Sequence, residues 1–175
     1  MCDKSKIVWI DASWNPVLVC SLVSAGCTNC YAMRQAHRLL PYKGLTRGTE
    51  HGPVWTGEVR LVPNLLNQPL RWKRPLRIFV NSMSDLFHEK VPADFIDEVM
   101  LTIILARRHT FQLLTKRPER MKEYFSDPGT ENLLRAACSD YPAIDNDPMD
   151  EGGCFALNWP IENLWLGVSV ENQST

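Results

Sequence analysis

Residues 77–115 read RIFVNSMSDLFHEKVPADFIDEVMLTIILARRHTFQLLT, and their reading decides the fold. The run RIFVNS at 77–82 is apolar and partly β-branched, the composition of a strand. Residues 92–108 open on Pro92, which is preorganised for a first helical turn. They then set Phe95, Ile96, Val99, Met100, Ile103 and Ile104 along one helical face. The run HTFQLLT at 109–115 returns to strand composition. Strand, helix, strand in that order is a βαβ unit, and its two strands run parallel.

Working outward, PERMKEYF at 118–125 reads as a short helix, and a second helix is expected over 130–137. NLWLGVSV at 163–170 reads as a further strand. On the other side, IVWI at 7–10 is expected to be the first strand, and WNPV at 14–17 a turn, since Pro16 fixes its own φ. YAMRQAHRLL at 31–40 has helical composition and is stopped by Pro41. Residues 41–60, rich in Gly, Thr and Pro, form an excursion before EVRLV and a helical stretch near 64–68. Residues 139–158 carry Pro, Asp and Gly and read as an acidic inserted loop.

The fold class expected is α/β, a single domain over 1–175 built as a partial (β/α) barrel. A complete eight-unit barrel takes roughly 250 residues. The chain also stops directly after a strand, so the expectation is a barrel truncated at its C-terminus. Trp165, Leu166 and Val168 would then lie in an uncovered strand.

With 45% hydrophobic and 22% charged residues, the composition is that of a globular domain rather than a disordered or fibrous chain. No apolar run approaches the length of a membrane span, and the N-terminus lacks the pattern of a secretory signal. A cytoplasmic location without membrane contact is therefore expected, where clustered thiols bind metal more often than they form disulfides. All 19 Lys and Arg fall within residues 1–135, where they exceed the acidic residues by six. Residues 136–175 carry seven acidic residues and no basic ones. Such a body can face an anionic substrate or nucleic acid, although solvated helix faces would show the same surplus.

The sharpest chemical feature is CSLVSAGCTNCY at 20–31, which spaces Cys20, Cys27 and Cys30 as C-x6-C-x2-C. Cys2, Cys138 and Cys154 lie far from it and are expected to be free thiols without a role. Three thiols are one short of a four-coordinate site. One reading is a structural zinc site completed by His37 or His51. The other is a [4Fe–4S] cluster on three thiolates, with one iron left open to S-adenosylmethionine. Reduction would then cleave that cofactor to a 5′-deoxyadenosyl radical. A cysteine loop placed after the first strand of a parallel barrel favours the second.

Ligands of α/β proteins bind beyond the carboxyl ends of the strands. That rule selects Asn81, Ser82 and Asp85 after one strand, Thr115 and Lys116 after the next, and Glu171 after the last, as cofactor- or substrate-lining candidates. Trp14, Asn15, His88, Arg117 and Ser169 share those strand ends. The plainer reading of Asp85 is a turn cap, and of Lys116 and Arg117 solvated charge.

The segments SWNPV, GCTNCYA, PLRWKRPLRIFVNSMSDLFHEKVPADFID, HTFQLLTKRPERM and LWLGVSVENQ, in this order, resemble a phage- and prophage-associated three-cysteine family of unknown function that is radical-SAM-like. The resemblance spans most of the chain apart from 41–58 and 139–158. It implies a cluster at Cys20, Cys27 and Cys30 and a radical-SAM-type partial barrel. The six-residue spacer departs from the usual C-x3-C-x2-C, and such proteins usually continue well past residue 175. Three functions follow as expectations: a radical-SAM-type enzyme on an unidentified substrate, a zinc-binding module for phage or host proteins, and a nucleic-acid modification enzyme. A protein partner encoded nearby is expected as well.

Overall fold

The computed structural model describes residues 7–18, 20–141 and 157–170. Its centre is a four-stranded, all-parallel sheet formed by β1 (Ala12–Trp14), β6 (Arg77–Val80), β7 (Thr110–Thr115) and β8 (Leu164–Val168), in that spatial order. Between the first two run β2 (Val17–Leu18), β3 (Thr46–Thr49), β4 (Gly52–Trp55) and β5 (Arg60–Leu61). β2 pairs antiparallel with β5, and β3 with β4. The sheet steps in one direction along the chain without reversing, and its four strands form no closed barrel.

Four helices accompany the strands: α1 (Tyr31–Ala36), α2 (Ala93–Leu105), α3 (Pro118–Ser126) and α4 (Pro128–Ser139). All six residues of the apolar stripe expected on α2 are buried. They pack with Ile78 and Val80 of β6 and Phe111 and Leu113 of β7 in one core. Burial of each such side chain is worth roughly 1.5–3 kcal/mol, so this face is a large part of the sheet's anchorage. Leu134 and Cys138 of α4 join the same core. Asn163 closes the unit, because its Nδ2 donates to the carbonyls of Ile103 and His109 and so ties the end of α2 to the start of β7.

Several expected boundaries move. The run 7–10 is not a strand; the first strand is Ala12–Trp14, paired with Ile78–Val80. Asp11 sets that register by accepting the backbone N–H and the guanidinium of Arg77, while Trp9 packs against Phe79 in a tilted arrangement with ring centroids 5.1 Å apart. The helix expected to reach residue 40 ends at Ala36, followed by a 3-10 turn over Leu40–Tyr42. The stretch near 64–68 is likewise only 3-10. The excursion at 41–60 contains the β3–β4 hairpin, and the helix expected at 130–137 spans Pro128–Ser139 because Asp127 caps it. Most of the acidic insertion lies outside the described residues. Cys138 is not a free thiol but is disulfide-bonded, and its partner lies outside the described residues. Among the described residues, no helix is long and apolar enough to cross a membrane.

The two faces of the sheet differ. Pleating sends Ile78, Val80, Phe111 and Leu113 towards the helices and Phe79, Gln112 and Leu114 the other way. The second face carries Phe79 and Leu114 into an open cavity. On β8, Trp165, Leu166 and Val168 are exposed, Trp165 by 61%.

Candidate functional site

The cavity lies at the carboxyl ends of the parallel strands and has a volume of about 550 Å³. Each strand end contributes through a turn that its sequence dictates. β6 ends on Asn81, which holds φ at 55°. Asparagine is among the residues that tolerate this left-handed region best. The conformation lets its N–H reach Trp14 O at 2.8 Å and its Oδ1 accept Val17 N–H at 3.3 Å. With Oδ1 so engaged, Nδ2 faces away, buried and without an acceptor. Ser82 then donates to Asn15 Oδ1, Ser84 to Val17 O, and Tyr31 donates to Ser82 O at 2.6 Å. The first turn of the chain, the helix after the cysteines and the end of β6 are thereby one hydrogen-bonded unit.

Asp85 is the electrostatic centre. Its Oδ1 accepts from Thr115 Oγ1 (2.8 Å) and Phe87 N (3.0 Å); its Oδ2 accepts from Lys116 N (3.1 Å) and Arg117 Nη1 (2.9 Å). Asp85 does cap a turn, as the plainer reading held, but Arg117 is not solvated. Its side chain is 7% exposed and fully engaged, with Nε on Glu89 at 2.7 Å and Nη2 on Ser21 Oγ at 2.8 Å. His88 also reaches Ser21 Oγ, through Nε2 at 2.9 Å, while its Nδ1 accepts Lys90 N–H. That second bond requires a bare Nδ1, so the neutral ring carries its proton on Nε2. Burial, and then the Arg117 charge, lower the His88 pKa in agreement.

Cys20, Cys27 and Cys30 are free thiols, and all three line the cavity together with Asn81, Ser82, Asp85, Thr115, Lys116 and Ser169. Glu171 lies outside the described residues. The thiols differ. Burial, then the Asp85 charge, push Cys20 up to about 11. Burial opposes ionisation at Cys27 too, but there backbone N–H groups of Val23 and Ser24, the Ser24 hydroxyl and the Lys116 ammonium prevail and bring it down to about 7. Lys116 Nζ stands 3.5 Å from Cys27 Sγ and 3.5 Å from Ser24 Oγ.

The donor set tests the two metal readings. Neither His37 nor His51 lines the cavity, and His37 Nδ1 is bonded to Thr46 Oγ1 on β3 at 3.0 Å. Asp85, the one carboxylate among the described lining residues, already has four donors. Among the described residues no three His, Cys, Asp or Glu side chains converge closely enough to hold one metal ion. Two thiolates on a single zinc lie within about 4.6 Å of each other, twice a Zn–S bond. Thiolates of an iron–sulfur cluster each take a different iron and stand further apart. Cys20, Cys27 and Cys30 line one cavity, and among the described lining residues no histidine or further cysteine joins them, which is the donor set that a three-thiolate cluster would use.

The strand-end rule reached Asn81, Ser82, Asp85, Thr115 and Lys116, which the cavity brings together. It reached Arg117 as well, whose plainer reading was solvated charge, and left Ser21 and Glu89 unnamed. Nothing local marks them, since Arg117 and Ser21 are 96 positions apart.

Fold and site together define an α/β protein with a cysteine-lined cavity above a one-way parallel sheet. Within that class, the chain belongs to the family described as protein of unknown function (DUF5131), whose model matches residues 4–175. No curated protein and no solved structure matches it.

Proposed function

We propose that this protein is an iron–sulfur enzyme of the radical-S-adenosylmethionine type, with Cys20, Cys27 and Cys30 holding a [4Fe–4S] cluster. The observation that carries the reading is the lining of the cavity: three free thiols and, among the described residues, no histidine or further cysteine beside them. When bound, such a cluster supplies one-electron reductive cleavage of S-adenosylmethionine. The chain's own residues have the other tasks. Lys116 brings positive charge to the polar end, the buried Nδ2 of Asn81 is a donor in want of an acceptor, and Trp9, Trp55, Phe79 and Leu114 provide apolar walls that limit water around a reactive species. The partial-barrel assignment belongs to the same proposal and is supported by strands that advance in one direction, as in barrels, rather than reversing. So do the phage association, which rests on the motif resemblance, and a cytoplasmic setting, which the three free thiols suit and the disulfide at Cys138 does not.

The test is anaerobic reconstitution with iron and sulfide. The expected product is brown, with about four irons per chain. Cys20→Ala, Cys27→Ala and Cys30→Ala should each lose it, and Cys138→Ala should not. Stoichiometric zinc without visible absorption would overturn the reading in favour of a structural metal module.

A further inference from the structure

The cysteine loop is reached by side chains from the strand ends. Among the described residues, its backbone–backbone hydrogen bonds are local, Cys27 N–H to Ser24 O and Cys30 N–H to Cys27 O. Two consecutive residues after β7 supply two of these side chains, and His88 Nε2, 2.9 Å from Ser21 Oγ, is a third. Arg117 Nη2 donates to Ser21 Oγ, immediately after Cys20, at 2.8 Å. Lys116 Nζ reaches Cys27 Sγ directly, at 3.5 Å.

The two cations act differently because their surroundings differ. Arg117 is buried and faces two carboxylates, Asp85 and Glu89, at 2.9 and 2.7 Å. Its charge is opposed on the spot, so what it delivers to the loop is a fixed position: a planar fork set by two carboxylates, with its remaining arm on the Ser21 hydroxyl. Lys116 contacts the sulfur itself. Hydrogen bonds and positive charge at a ligating sulfur stabilise the reduced, more negative form of an iron–sulfur centre.

Resting on the proposed cluster, we infer that Lys116 and Arg117 divide control of the cysteine loop: Arg117, through Ser21, is a positioning residue for the thiols, and Lys116, through Cys27 Sγ, sets the electron affinity of the centre they hold. The test uses the full chain reconstituted with iron and sulfide, as wild type, Lys116→Met, Lys116→Arg and Ser21→Ala. The last leaves the Arg117–Asp85 pair intact but also removes the partner of His88 Nε2, so its urea unfolding is measured alongside. Iron content, the rate of iron loss to a chelator and the midpoint potential are measured on each. Lys116→Met should keep its iron, while the reduced-to-oxidised ratio at the wild-type midpoint falls about tenfold, ~59 mV for a one-electron couple. Lys116→Arg should restore it. Ser21→Ala should keep the potential and lose iron several-fold faster. A wild-type potential in Lys116→Met, or a wild-type rate of iron loss in Ser21→Ala, overturns the inference while the cluster stands. A wild-type chain that takes up no iron overturns the proposed function, and this inference falls with it.

Discussion

Asp85→Ala is the most informative single perturbation of the fold. The carboxylate and its Arg117 partner have side chains only 6% and 7% exposed, so the pair is effectively out of water. Removing the carboxylate strands the Arg117 cation, whose remaining partner Glu89 is 66% exposed. It also removes the acceptor of Thr115 Oγ1 and of the backbone N–H groups of Phe87 and Lys116. Breaking a buried pair from one side costs about 3–5 kcal/mol, a large share of a total stability of roughly 5–15 kcal/mol. For a chain of this size that corresponds to a fall in Tm of about 6–20 °C. Urea unfolding followed by circular dichroism, with m held constant, reads the loss directly. The double variant Asp85→Ala/Arg117→Met should lose no more than the single one, because no uncompensated charge is then left behind. A loss under about 1 kcal/mol for Asp85→Ala, the range of surface pairs, would refute the picture of a buried electrostatic centre.

Two further outcomes follow. The Arg117 guanidinium, against a smaller burial effect, holds Glu89 at about 2; a carboxylate depressed in the folded state stabilises above its unfolded pKa of 4.5 and loses that contribution as pH falls towards 2. Glu89→Gln should therefore flatten the acid limb of stability between pH 4.5 and 2, by less than about 1 kcal/mol because the group is mostly exposed; an unchanged acid limb would contradict it. At Asn81, both Ala and Gly remove the acceptor of Val17 N–H, but only Ala suffers the positive φ. Asn81→Ala should thus be less stable than Asn81→Gly by about 1–2 kcal/mol, and equal unfolding free energies would count against backbone strain there.

The parts of the fold legible in the sequence are those written in local periodicity. The α2 stripe is one, because a 3.6-residue repeat of bulky apolar residues has few other uses. The existence of α4 was legible but not its start: the expected 130–137 missed the first turn, which Asp127 caps by accepting Gly129 N–H. β1 was not. The apolar run at 7–10 has strand composition, but pairing is decided by Asp11 meeting Arg77, 66 positions away, which shifts the strand to Ala12–Trp14. The β3–β4 hairpin was hidden because its turn, Glu50–His51, lacks the Asn-Gly or Asp-Gly signal. At the site, the strand-end rule works because topology alone brings those positions together. The rule reached Arg117 but not its burial, because a lone Arg after a strand looks the same in sequence whether it faces water or Asp85.

The cavity's rim and floor are set by different parts of the sequence. Loops after the strands supply the polar rim, but the floor is a consequence of the pleat, and its shape depends on β8. Gly167 lies opposite Leu114 in the parallel ladder, so both face the cavity side. A Cβ at 167 would meet Leu114 Cδ2 at 2.5 Å, too close for both to stay. The obstructing atom is the tip of a side chain 40% exposed, not backbone, so Leu114 can swing aside and the sheet can survive. One direction open to it is the cavity that it already lines. The smallest residue of the edge strand thus governs the space above the sheet, and a side chain there would narrow the cavity before it weakened the fold.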